Sequence, residues 1–143
     1  MKRIAARVRA GSAAAALLAW ASAAHAACGD GLAERGRLLA QTQGWQIAFV
    51  VQPGPLQAGK PFALDIWLCS DAPAGHPTRV AVDAEMPAHK HGMNYRAVVK
   101  SVGAQRYRAE GLLFHMPGRW RFLFEVELAP GQVIRLSREV DAS

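Results

Sequence analysis

Short alternating runs separated by turn-forming residues predict an all-β fold, an antiparallel immunoglobulin-like β-sandwich of about seven strands. Two runs show the period of two that a half-buried strand requires. Phe62, Leu64, Ile66 and Leu68 alternate with Ala63, Asp65, Trp67 and Cys69, and Trp120, Phe122, Phe124 and Val126 alternate with Arg121, Leu123, Glu125 and Glu127. Similar runs recur at close spacing, punctuated by Gln52-Pro53-Gly54-Pro55, Gly103 and Ala129-Pro130-Gly131, the pattern of a sandwich. No strand–helix alternation or long apolar strand calls for a parallel sheet.

The chain opens as a secretory leader. Lys2, Arg3, Arg7 and Arg9 precede an apolar run over about residues 10–24, and Ala24-His25-Ala26 fits the small-x-small cleavage rule. That run is shorter than the ~20 residues of a permanent span, and without an Arg-Arg pair the general secretory route is expected. Residues 1–26 are therefore assigned to a signal peptide, 27–44 to a linker and 45–143 to the sandwich domain. The mature protein is expected to be periplasmic or secreted, monomeric and without a transmembrane span. Four of 17 basic residues and none of the 11 acidic ones lie in the leader, so the mature charge is 13 − 11 = +2. Such a balance gives little support to nucleic-acid binding. The remaining 143 − 26 = 117 residues suffice for one core.

In the linker, Leu32, Leu38 and Leu39 have helical spacing, weakened by Gly31, Gly36 and Gly44. The first strand is expected over Trp45–Val51, with Ile47, Phe49 and Val51 on one face. The second is Phe62–Cys69, and residues 70–77 form a loop. Thr78–Met86 follows with Val80, Val82 and Ala84 inward. Next come Tyr95–Val99 and Gln105–Gly111, with Tyr107 as an inward anchor, and Leu112–His115 continues extended. Trp120–Leu128 and Val133–Val140 close the domain as a hairpin about Ala129-Pro130-Gly131.

Cys28 and Cys69 are the chain's two cysteines. In an exported protein such a pair reads first as a disulfide, which would stabilise the fold by roughly 3–4 kcal/mol. Two alternatives stay open: one cysteine joins a metal site as thiolate, or Cys28 is lipidated, although His25-Ala-Ala-Cys28 lacks the usual apolar residue three positions earlier.

The chemistry gathers in two segments. Met86-Pro-Ala-His-Lys-His-Gly-Met93 holds Met86, His89, His91 and Met93, and Phe114-His-Met-Pro-Gly-Arg-Trp120 adds His115 and Met116. Apart from the initiator, every methionine lies here, and of five histidines only His25 and His76 lie elsewhere. On an extended backbone His89, His91 and Met93 would share a face, whereas the adjacent His115 and Met116 would point oppositely. Met86 and Met116 each precede proline, which restricts them to extended conformations. A methionine at a strand end is ordinarily core filler, and Gly92 and Gly118 are turn residues first. The joint clustering of neutral imidazoles and thioethers points instead to copper, as Cu(I) or Cu(II), over zinc or nickel. No cysteine pair at ligand spacing supports structural zinc.

Catalytic motifs are absent: no Gly-x-Ser-x-Gly elbow, His-Glu-x-x-His or phosphate loop occurs, and Asp65, Asp83 and Glu85 read as solvated strand acids. No enzyme activity is expected.

The two segments, with Gly103-Ala-Gln-Arg-Tyr107 between them, resemble the YtkA-like and FixH-like group of exported immunoglobulin-type domains, over roughly residues 45–140. The resemblance implies copper handling and a copper enzyme or its assembly factor as partner. It carries over to Met86, His89, His91, Met93, His115 and Met116 as metal-site residues. FixH-like members usually have a membrane anchor, where this sequence offers a leader. The function expected is sequestration or delivery of copper. The rivals are a metal-free interaction module and, third, a small cuproenzyme.

Overall fold

The computed structural model of the chain describes residues 28–32, 36–71 and 77–143. The leader, its cleavage site, His25 and His76 lie outside the described residues. Among those described, the chain is all-β, with nine strands and no helix: β1 (Leu38–Thr42), β2 (Trp45–Gln52), β3 (Pro61–Ser70), β4 (Arg79–Met86), β5 (His91–Gly92), β6 (Val98–Gly103), β7 (Arg106–Leu113), β8 (Gly118–Ala129) and β9 (Gln132–Ala142). They form two antiparallel sheets, ordered β1-β2-β3-β7-β6 and β5-β4-β8-β9. The expected sandwich is present with two more strands than anticipated. Both extra strands are short: β1 arises within the segment expected to be a linker with helical character, and β5 comes from the His/Met stretch.

The alternation of β8 sets the core. Trp120, Phe122, Phe124 and Val126 are each 0% exposed. Across the sandwich they meet Phe49, Phe62, Leu64, Ile66 and Leu68, with Phe49 packed edge-on to Phe122 at 5.5 Å. Burial of a large apolar side chain stabilises by about 1.5–3 kcal/mol, so this stripe holds the two sheets together. On the solvent side of β8, Arg121 bonds Glu85 of β4 (3.2 Å) and Glu139 of β9 (2.9 Å), and Arg135 bonds Glu125 (2.9 Å). These partners stand directly opposite in the ladders. Each such exposed pair is worth about 1 kcal/mol at most, but a one-residue slip would break them all, so they reinforce register.

The other sheet is covered on its outer face as well. Ala48 and Val50 of β2 form a second cluster with Cys28 and Leu32, against Trp67 and Cys69 of β3. The Cys28–Cys69 disulfide, with Cα atoms 5.8 Å apart, fastens the N-terminal segment there. Gly29 fits at φ +82°, where a Cβ would come within 2.5 Å of the Ala48 methyl. The bond engages both cysteine sulfurs, so neither is a free thiolate for a metal.

Candidate metal centre

β4 ends at Met86, and the chain reverses over Pro87–Lys90 before returning as β5. The amides of His89 and Lys90 both donate to the Met86 carbonyl (3.1 and 2.9 Å), and Lys90 takes φ +55°. His89 therefore sits on a turn and is exposed, so the expected strand geometry fails for it. The rule survives for His91 and Met93. His91 stands directly opposite Met86 in the β4–β5 ladder, and the Met93 amide donates to the Ala84 carbonyl (3.1 Å). Opposed residues share a face, so His91 rises over the inward-facing Met86.

The second loop joins β7 to β8. Phe114 is buried, His115 exposed and Met116 half-buried. The indole Nε1 of Trp120 donates to the Met116 carbonyl at 3.1 Å, which ties down the loop. Gly118, at φ +128°, lets the two segments meet: a Cβ there would lie 3.0 Å from the Met86 methyl.

The folded chain brings imidazoles from both segments together. The rings of His91 and His115 have centroids 4.9 Å apart, and His89 lies 5.8 Å from His91. Met93 and Met116 are half-buried and pack against the core. Met86 is 2% exposed, so it fills the end of the core beneath the histidines. Cys28 and Cys69 belong to the other sheet's outer face. The Nδ1 of His91 lies 3.3 Å from the Gly92 carbonyl oxygen. A proton on Nδ1 makes that contact a hydrogen bond and leaves Nε2 as the lone-pair donor.

Among the described residues, no three His, Cys, Asp or Glu side chains are grouped to hold a metal ion. The arrangement thus supplies paired imidazoles with thioethers close by in the chain, a donor set that suits a soft ion of low coordination number. Tetrahedral zinc needs more nitrogen, oxygen or thiolate donors than are grouped here. The residue that sequence reasoning treated only as core is Trp120. It lies 5.8 Å from the His91 ring and 5.4 Å from the His115 ring. Its place at the end of the second segment, four residues after Met116, was the available signal.

No family model matches the chain, and no curated protein matches it. Among solved structures, it is similar to a DUF4426 family protein from Pseudomonas aeruginosa PAO1, known from its crystal structure. The TM-score is 0.52 at 11% identity, covering 76% of this chain and 96% of that one. The likeness is one of fold. Among the described residues, no helix is long and apolar enough to cross a membrane.

Proposed function

We propose that the chain is an exported copper-binding protein of YtkA-like or FixH-like type, which holds Cu(I) at the loop end of the sandwich and sequesters it or delivers it to a copper enzyme or its assembly factor. The observation that carries this reading is the 4.9 Å approach of His91 to His115, two imidazoles from segments 24 residues apart in the sequence. His89 lies beside His91, Met93 and Met116 follow His91 and His115 closely along the chain, and Met86 stands opposite His91 in the core. Placement on two exposed loops suits transfer, because a partner can reach the ion without opening the core. The disulfide suits an oxidising compartment, in keeping with a periplasmic or secreted protein that starts with a cleaved leader. The carrier role needs no catalysis and no nucleic acid.

The test is competition for Cu(I) against a chromophoric chelator. The wild-type chain should retain the ion, and the His91→Ala/His115→Ala double variant should bind more than about a hundredfold more weakly, beyond what loss of outer-shell partners costs. Its urea unfolding midpoint should stay near that of the wild type, because His115 is exposed and His91 only half-buried. Equal affinity in the double variant would remove the site assignment. A second reading, a metal-free docking module, is favoured by the exposed Tyr95, Val98 and Val102 of the β5–β6 region, each more than half exposed. Absence of any Cu(I) competition by the wild type would support that module over the carrier.

A further inference from the structure

We infer that the indole of Trp120 forms part of the ion's immediate surroundings and biases the centre toward a soft monovalent ion, Cu(I) or Ag(I), over divalent ions. This rests on the carrier reading above. The centroids of His91, His115 and Trp120 form a compact triangle with sides of 4.9, 5.4 and 5.8 Å. The midpoint between the two imidazole centroids therefore lies about 5 Å from the indole centroid. That is inside the roughly 6 Å over which an aromatic ring attracts a cation.

The indole is fixed in place. It stacks on Phe114 with centroids 4.4 Å apart and planes 4° from parallel. Its only donor is committed to the Met116 carbonyl, and the side chain is fully buried. A hydrated divalent ion would have to keep water or gain further hard donors at this position, and no third His, Cys, Asp or Glu is grouped there among the described residues. A low-coordinate ion held by two imidazoles loses little by facing an apolar ring and gains its quadrupole attraction. Burial strengthens such a contact, which is weak when exposed to water. The same geometry gives Trp120 a second effect, since its bond to Met116 sets where the His115–Met116 turn lies.

The test uses Ag(I), a redox-inert stand-in for Cu(I), with the full chain carrying Trp20→Phe, Trp45→Phe and Trp67→Phe so that only Trp120 emits. Binding is measured separately by chelator competition. Saturating Ag(I) should strongly quench the Trp120 emission, and the quenching should vanish when His91→Ala and His115→Ala are added. Bound Ag(I) that leaves the emission unchanged would overturn the role of Trp120 while the carrier reading stood. No competition for Ag(I) at all would overturn both. Should the substituted chain fail to fold, the comparison is made between the unsubstituted chain and Trp120→Phe, which keeps an aromatic ring on Phe114. There Ag(I) quenching should shrink and affinity should fall about tenfold, equivalent to about 1.4 kcal/mol; equal quenching would again overturn the inference.

Discussion

Three methionines lie at one end of the sandwich, and their burial separates them. Met86 is sealed in the core at 2% exposure, whereas Met93 and Met116 are half-buried at the edge of the core cluster. Truncating a buried methionine leaves a cavity that costs about 2–5 kcal/mol, while methionine-to-leucine exchange keeps volume and costs less than about 1.5 kcal/mol. Met86→Ala should therefore lower the urea midpoint sharply, and Met86→Leu should leave both stability and Cu(I) affinity nearly unchanged. Met93→Leu and Met116→Leu should keep stability and weaken Cu(I) binding. Urea unfolding and chelator competition on the same four variants check this, and a large affinity loss in Met86→Leu would make Met86 a ligand. The clustering was legible in the sequence; the division of labour was not. Nothing in the Met-Pro dipeptides at positions 86 and 116 distinguishes a side chain under the sheet from one at its rim.

The strands themselves were legible wherever one face is wet and the other dry. β4 and β8 show that contrast, and their inward faces, like that of β3, are the ones the alternation indicated. β1 was not, because it is a five-residue edge strand flanked by glycines with only Ala40 buried, and its Leu38-Leu39 pair mimics a helical face. His89 was misread because the extended geometry was continued through Lys90, which takes φ +55° instead. One electrostatic consequence belongs to the β6–β7 ladder. Lys100 and then Arg108 bond the Glu110 carboxylate and hold its pKa below the ordinary 4.5. A carboxylate whose folded pKa is depressed contributes stability above its unfolded pKa, and that contribution is lost as pH falls through the folded value. Glu110→Gln should therefore flatten the acid limb of the stability profile and change little in the pH dependence near neutrality. Denaturant midpoints between about pH 2 and pH 7 read this out, and an unchanged acid limb would mean the ladder's ion pairs are screened away.

At the scale of the whole molecule, the disulfide and the candidate metal centre occupy opposite ends of the sandwich. In the β3–β7 ladder Trp67 pairs with Arg106 and Pro61 with Leu113. Cys69 thus lies beyond one end, and His115 beyond the other. Trp67 and Pro61 are six residue steps apart along the strand, roughly 20 Å at about 3.3 Å per residue. Perturbations more than about 10 Å apart with no shared partner add nearly independently. The two cysteines enclose a sequence separation of 41, for which loop closure is worth about 4 kcal/mol on the chain-entropy model. A Cys28→Ser/Cys69→Ser variant should therefore lose stability of that order and expose Trp67. It should still bind Cu(I) with wild-type affinity at any denaturant concentration where it remains folded. Cu(I) loading should raise the unfolding free energy of both proteins by the same increment, since ligand linkage depends only on affinity and free ion. A Cu(I) affinity that fell with the cysteines removed would couple the two ends of the sandwich and bring the sulfur atoms back into the metal chemistry.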